Sequence, residues 1–281
     1  EYTVPVNTPA TGLGVTVPAS GEISRERSDG HVVTLSGWKG FQLGEDGFLT
    51  LSAEYKDQQH TERSGFDVRQ QYPTDTGGNY SPGEAEINRF NAWTGEPELE
   101  QITLFGNAGY NLNNGVELYA SYQDRDTTSA GFYRRALDDR NVIEIYPNGF
   151  LPLISPETTD ASVAGGARFE MAGWDMDASL VYGSNEMQFT IENTLNRSLG
   201  TASKTSFDAG GFKYSQVVAN LSAVKGFAVD GLASDLNVAW GLEARQEMYE
   251  INAGEPDSYR NGGVLLANGN ATASGAQVFP G

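Results

Sequence analysis

Aromatic and arginine side chains that could contact a ligand occur in two stretches of the chain without regular hydrophobic alternation. They are Phe66, Arg69, Tyr72, Phe132, Tyr133, Arg134 and Arg135. Aromatic rings can stack on a ligand, and guanidinium groups can form hydrogen bonds with it. We therefore take these residues as candidate ligand contacts. The alternative, which the sequence alone favours, is that they pack the loops or belong to the aromatic bands of a membrane interface.

No arrangement of residues indicates catalysis. His31 and His60 are the only histidines, and they lie on separate elements without the spacing of metal ligands. The chain has no cysteine, which excludes disulfides, thiol catalysis and cysteine-based metal sites. It also lacks a Gly-x-Ser-x-Gly motif and a glycine-rich phosphate loop. We expect neither an enzymatic activity nor a cofactor.

Acidic residues dominate the charge of the chain. There are 37 Asp and Glu residues against 18 Lys and Arg, which gives a net charge of −19. Such a chain is unsuited to a nucleic-acid partner. The pairs Asp138-Asp139 and Asp175/Asp177 could chelate calcium, but isolated acid pairs are usually solvated, and we expect no metal site.

The elements that must position these residues are strands. Eight segments alternate between apolar and polar residues, and they are grouped in four hairpins. The clearest hairpin has its turn at Asn113-Asn114-Gly115, where residues with positive φ are needed. The segments are His31–Leu43, Phe48–Asp57, the two arms of Leu99–Asp126, Thr158–Ala172, Asp175–Glu192, Gly211–Phe227 and Asp235–Ile251.

The connections between these segments alternate strictly in length. Short turns occur at 44–47, 113–115, 173–174 and 229–234, and long connections at 58–98, 127–157, 193–210 and 252–281. Short turns at one end and long loops at the other are typical of outer-membrane barrels, whose strands are about ten residues long. No apolar run reaches the roughly 18 residues of a membrane-spanning helix. We therefore predict an all-β chain of antiparallel, up-and-down, transmembrane β-barrel strands.

In such a barrel the apolar face of each strand points to lipid and the polar face points to the lumen. The residues expected on the lumen side are Glu54, Arg168, Glu170, Glu243 and Arg245. The residues expected in the aromatic bands near the strand ends are Trp38, Trp240, Tyr55 and Tyr122. Trp93 lies in a loop and receives no role.

The whole chain, 1–281, is expected to be a single barrel segment. Residues 1–30 are rich in Pro, Thr, Gly and Ser and are predicted to be irregular, with one weak strand near Gly14–Val17. Residues 252–281 are predicted to be a loop-like tail.

Three segments resemble the barrel of TonB-dependent outer-membrane receptors, as found in Gram-negative bacteria such as Caulobacter and the sphingomonads. They are Asp46–Tyr72, Ser129–Arg135 and Trp240–Gly263, the last of which contains RQEMYEINAGEPDSY. The resemblance extends over about residues 30–281. It implies a barrel of 22 strands filled by a plug domain, of which this chain supplies an early part and no plug.

The resemblance also implies a function. Such a receptor lies in the outer membrane of a Gram-negative bacterium, contacts lipid and lipopolysaccharide, and is coupled to TonB through the plug. It takes up a scarce nutrient, which here could be a siderophore, cobalamin, haem or an oligosaccharide. Two alternatives stay open. One is a soluble extracellular carbohydrate-binding β-sandwich, and the other is a small outer-membrane barrel closed by these eight strands alone.

Overall fold

The architecture is one antiparallel sheet. The computed structural model describes residues 1–111 and 116–281, with side chains described throughout these ranges except at 116–123. Eight strands, β3 to β10, pair in chain order, so that each strand lies beside its neighbours in sequence. Their bounds are β3 Val32–Leu43, β4 Gly47–Gln58, β5 Glu98–Tyr110, β6 Val116–Ala130, β7 Leu153–Met171, β8 Trp174–Glu192, β9 Phe207–Phe227 and β10 Leu236–Asn252. The prediction of an all-β, up-and-down sheet is confirmed.

The predicted strands agree with the observed strands, with differences mainly at their ends. Strand β6 continues to Ala130 and β7 begins at Leu153, because ladder pairing persists beyond the alternating pattern. The tight turn before β8 is at Ala172-Gly173, both with positive φ, so that Trp174 begins the strand. The predicted turn at Asn113-Asn114-Gly115 lies outside the described residues.

One face of the sheet is apolar and uncovered. Residues directly opposite each other in the ladder share a face, and the register aligns the large aliphatic residues of successive strands. Their exposed fractions are high, at 66% for Leu35, 47% for Leu104, 51% for Val163, 57% for Leu180 and 67% for Leu242. We call this surface the apolar face.

The opposite face is polar. The register puts on it all five charged residues expected there, Glu54, Arg168, Glu170, Glu243 and Arg245. Three of them take part in ion pairs along or across strands, since Arg168 Nε lies 3.0 Å from Asp177 Oδ2 and Arg245 Nη2 lies 2.9 Å from Glu243 Oε1. The prediction that these residues share one face is confirmed.

Aromatic residues cluster on the apolar face beside the short turns. The ring of Trp174 lies 5.9 Å from Phe227 and 6.3 Å from Trp240, in edge-to-face contacts. Tyr55 is on the same face, opposite Ile102. Trp240 and Tyr55 thus lie on the apolar face, and their place in the aromatic bands of a membrane stays a prediction.

The prediction for Trp38 is wrong. This residue lies in the middle of β3, opposite Ser52, which in turn lies opposite Phe105. It is one residue out of phase with the apolar positions Leu35 and Phe41, so its side chain belongs to the polar face. The side chain of Tyr122 lies outside the described part of the chain.

Strands β3 and β10 are the two edges of the sheet. Every residue of both strands is exposed. The alternative of eight strands closing on themselves predicts pairing between the first strand and β9 or β10, and that pairing is not present among the described residues. The alternative of a closed eight-stranded barrel is wrong for this structure.

Residues 1–30 contain two strands rather than one. Strands β1 (Tyr2–Pro5) and β2 (Glu22–Arg25) form a separate antiparallel pair. The predicted strand near Gly14–Val17 is wrong, because Gly12 and Gly14 both have positive φ and turn the chain there.

The buried core lies among the long connections. One cluster joins Ile191 and Phe207 with Ala276, and another joins Phe150 with Leu195. Short helical turns occur in these connections at Pro82–Ala85, Arg197–Ala202 and Pro256–Tyr259. No helix among the described residues is long and apolar enough to cross a membrane.

Candidate functional site

A cleft of about 710 Å³ opens between the two longest internal connections. These are 59–97, between β4 and β5, and 131–152, between β6 and β7. We call it the loop cleft. Six of the seven candidate ligand contacts line it, namely Phe66, Arg69, Phe132, Tyr133, Arg134 and Arg135.

The seventh candidate, Tyr72, lies outside the lining but beside it. Its hydroxyl donates to Asn148 Oδ1 at 3.0 Å, and the hydroxyl of Tyr133 donates to the carbonyl oxygen of the same asparagine at 2.5 Å. The bond from Tyr72 thus ties connection 59–97 to connection 131–152, while the bond from Tyr133 lies within connection 131–152. Tyr72 therefore acts on the shape of the loop cleft.

A buried ion pair organises connection 59–97. Glu84 and Arg89 are 1% and 4% exposed, and Arg89 Nη2 lies 2.7 Å from Glu84 Oε2. Arg89 also donates from Nη1 to the carbonyl oxygens of Asp67, at 2.8 Å, and of Arg69, at 2.9 Å. The ion pair therefore fixes the backbone that carries two residues of the cleft wall.

The cleft walls contain two identical local turns. Asp67 accepts hydrogen bonds from the backbone N–H and the guanidinium of Arg69, and Asp138 does the same for Arg140. The side-chain donor–acceptor distances are 2.8 to 3.0 Å. Each Asp-x-Arg turn holds its guanidinium in a bidentate pair, which fixes the direction of the side chain.

The remaining two arginines of the cleft form no ion pair with a carboxylate among the described residues, although the charge of Asp138 acts on Arg134. Arg134 is 8% exposed, and its Nε donates to Gln277 Oε1 at a long 3.4 Å. Arg135 donates from Nη1 to the carbonyl oxygen of Gln70 at 2.8 Å, while its buried Nε has no acceptor in the described part of the chain. The cleft therefore carries a local excess of positive charge.

Burial and hydrogen bonding change the acidity of the cleft residues. Burial raises the pKa of Tyr133 to about 12, and the nearby Tyr72 and Asp67 act in the same direction. Burial alone would raise the pKa of Asp67, but hydrogen bonds from the side chain and backbone of Arg69 outweigh it and lower the pKa to about 2. Burial lowers the pKa of Arg134. At neutral pH the tyrosine is a neutral donor and the aspartate is ionised.

Aromatic side chains complete the cleft. The ring of Trp93, which lines it, stacks on His60 with centroids 3.8 Å apart. Phe66 makes an edge contact with Phe90. Phe132 makes no ring contact within the described part of the chain and is 79% exposed. It is therefore a ring available to a ligand.

Sequence reasoning missed several lining residues, including Trp93, Asp67 and Arg140. The repeated Asp-x-Arg spacing was a usable signal for the last two, since each lies in the same stretch as a candidate contact. In the two acid pairs considered for calcium, Asp138 forms an ion pair with Arg140 and Asp177 forms one with Arg168. No group of three or more potential metal ligands occurs among the residues searched, which are those described.

Comparison with known proteins gives little. No protein-family model and no curated protein matches the chain. A solved structure that resembles it is FpvA of P. aeruginosa bound to heterologous pyoverdines, with a TM-score of 0.40 and 15% sequence identity. The match covers 80% of this chain and 31% of FpvA, so the chain spans about a third of that protein. A likeness at this level carries no argument about function.

Proposed function

We propose that this chain forms part of the wall and the external loops of a TonB-dependent receptor in the outer membrane of a Gram-negative bacterium. It is a transport protein and not an enzyme. The loop cleft binds a scarce nutrient on the outside, and TonB acts through a plug domain. Lipid and lipopolysaccharide surround the apolar face.

The observation that carries this proposal is the uncovered apolar face. Leu104 on β5, Val163 on β7 and Leu180 on β8 are each about half exposed and lie on the same side of one sheet. Complete burial of an aliphatic side chain is worth roughly 1.5–3 kcal/mol, so each half-exposed side chain forgoes about half of that in water. A face of this extent is suited to hydrocarbon.

The polar face and the connections support the same function. Charged residues such as Glu54 and Arg245 share the face that would line a lumen, where water solvates them. The long connections pack around small hydrophobic clusters at one end of the sheet, and the short turns lie at the other end. This asymmetry suits an outside that binds a ligand and an inside with tight turns.

A carbohydrate-binding sandwich requires a second sheet against the apolar face. The other described sheet, β1 with β2, has four residues in each strand and contacts connection 59–97, for example through Arg25 Nη1 and Glu62 Oε1 at 2.9 Å. The exposure of Leu180 and Val163 does not favour this alternative.

Neighbouring single-cysteine variants test the proposal, because the native chain has no cysteine. Leu180→Cys and Ser179→Cys put a fluorescent label on opposite faces of β8. In the full-length protein in its membrane, nitroxide-labelled lipid should quench the label at 180 strongly and the label at 179 weakly. Equal quenching at both positions, or recovery of the protein without membrane, would refute the proposal.

A second pair tests the orientation. Thr76→Cys lies in connection 59–97 and Glu45→Cys in a short turn, and both positions are exposed. A membrane-impermeant maleimide added to intact cells should label position 76 and spare position 45. The reverse pattern would contradict an external loop cleft.

A further inference from the structure

Two backbone hydrogen bonds fix the main chain at Arg134 in the loop cleft. Its backbone N–H and C=O both bond to Phe150 at 2.8 Å, which forms an isolated β-bridge. Gln277, from the end of the chain, contacts its Nε, and Gln277 is itself held by Thr194, whose Oγ1 accepts from its N–H at 2.9 Å. The backbone position from which Arg134 lines the cleft is therefore fixed by contacts within the protein.

The charge at this position is unusual for the chain. The protein as a whole carries −19, yet four arginines and two aspartates line the cleft. Both aspartates are engaged by Arg69 and Arg140 in bidentate pairs. Arg134, which is buried, and Arg135, which is partly buried, form no ion pair with a carboxylate among the described residues, and Asp138, whose charge acts on Arg134, is already paired with Arg140. The cleft therefore has two more cations than carboxylates, and a bound anion would compensate this excess.

Aromatic residues line the same cleft as these arginines. Phe132 precedes Arg134 by two positions, lines the same cleft and is 79% exposed. Trp93 and Phe66 line the same cleft from connection 59–97. Aromatic rings in the same cleft as guanidinium groups, with Phe132 the exposed ring of the three, favour a ligand with a planar part next to its charge.

We propose that the loop cleft takes a ligand in which an oxyanion, carboxylate or phosphate, is carried on an aromatic or other flat group. Arg134 and Arg135 bind the oxyanion, and Phe132 packs on the flat group. This inference rests on the proposed function, since it names the chemical class of the nutrient that the cleft receives. A neutral sugar would leave the excess positive charge of the cleft uncompensated.

Isothermal titration calorimetry of the full-length protein in detergent tests this proposal with three probes. Isophthalate presents carboxylates on a ring, phenyl phosphate presents a phosphate, and isophthalamide is the neutral counterpart of the first. Isophthalate or phenyl phosphate should bind at least about tenfold more tightly than isophthalamide, and the tighter of the two identifies the oxyanion. Equal binding of the neutral diamide, or no binding of either anion, overturns the proposal.

Variants assign the binding to the two arginines. Arg134→Gln and Arg135→Gln should each weaken binding of the preferred anion by about tenfold or more, and Arg134→Lys should weaken it less than Arg134→Gln because the charge is kept. The matched control is Arg260→Gln, an exposed arginine of the tail paired with Asp257, which should stay within about twofold of wild type. Unchanged binding in Arg134→Gln overturns the assignment.

The two proposals fail separately. Loss of the lipid-quenching difference between positions 179 and 180 refutes the receptor and leaves the anion site measurable. Preserved quenching with no preference for the anions refutes the anion site and leaves the receptor standing.

Discussion

Glu84→Gln should loosen connection 59–97 without unfolding the sheet. Glu84 Oε1 accepts from the N–H groups of Gln71, at 2.8 Å, and Tyr72, at 2.9 Å, while Oε2 pairs with Arg89. A glutamine at 84 must direct an amide N–H₂ at one of these donors. It also leaves the buried Arg89 without its counter-charge.

The structure sets the size of the effect. Removing one partner of a buried ion pair costs about 3–5 kcal/mol, because the other charge stays buried and unpaired. Both side chains are less than 5% exposed, so little solvent screening reduces this cost. Each 1.4 kcal/mol is a factor of about ten, so local opening of the connection should become about a hundredfold or more frequent.

Hydrogen exchange measures this opening at the amides of Gln71 and Tyr72, which the Glu84 carboxylate protects. The matched control is Glu86→Gln, an exposed glutamate in the same connection, for which exchange should change by less than about threefold. Strand amides of β7 and β8 should keep their protection in both variants. Equal exchange at Tyr72 in Glu84→Gln and Glu86→Gln would refute the assignment of Glu84 as the residue that organises the connection.

Two further predictions concern the other wall of the cleft. Gly149→Ala should break the bridge between Arg134 and Phe150 and speed hydrogen exchange of both amides by at least about tenfold, because Gly149 has φ +80° and an added Cβ would overlap the carbonyl oxygen of Arg134. The control Gly65→Ala, with open space around the added Cβ, should leave the exchange of both amides unchanged. Unchanged exchange in Gly149→Ala would contradict this prediction. Tyr133 should ionise near pH 12, since burial raises its pKa to about 12, and the difference in tyrosinate absorbance between wild type and Tyr133→Phe measures this ionisation. Because the pKa in the folded protein lies above the ordinary value near 10, the buried phenol contributes stability that is complete below pH 10 and is lost as the pH rises toward 12. A midpoint near pH 10 would show that the phenol is solvated.

The strands were predictable because their physical signal is local. Alternation in segments such as Phe48–Asp57 assigns a face to every residue, and the ladder register agrees with that assignment. Trp38 marks the limit of the method. Its phase in β3 was readable from Leu35 and Phe41, but the general preference of tryptophan for membrane interfaces suggested the wrong face.

Part of the membership of the cleft was predictable, while its electrostatics were not. Aromatic and arginine residues in two loop stretches identified six lining residues. The side chain of Arg134 contacts Gln277 and not a carboxylate, and Gln277 is 143 positions away in the sequence. Likewise, the pairing of Asp67 with Arg69 and of Asp138 with Arg140 depends on the geometry of a turn in each connection. Only these two ion pairs show that Arg134 and Arg135 are the arginines of the cleft left without a paired carboxylate.

The order of the strands explains why two distant loop stretches meet at all. Connection 59–97 joins β4 to β5, and connection 131–152 joins β6 to β7. Because β5 and β6 are adjacent in the sheet and antiparallel, both connections emerge at the same end, side by side. Any up-and-down sheet brings alternate connections together in this way. A cleft between these two connections therefore follows from the hairpin pattern, and the buried pair Glu84–Arg89 together with the Arg134–Phe150 bridge decides which side chains face it.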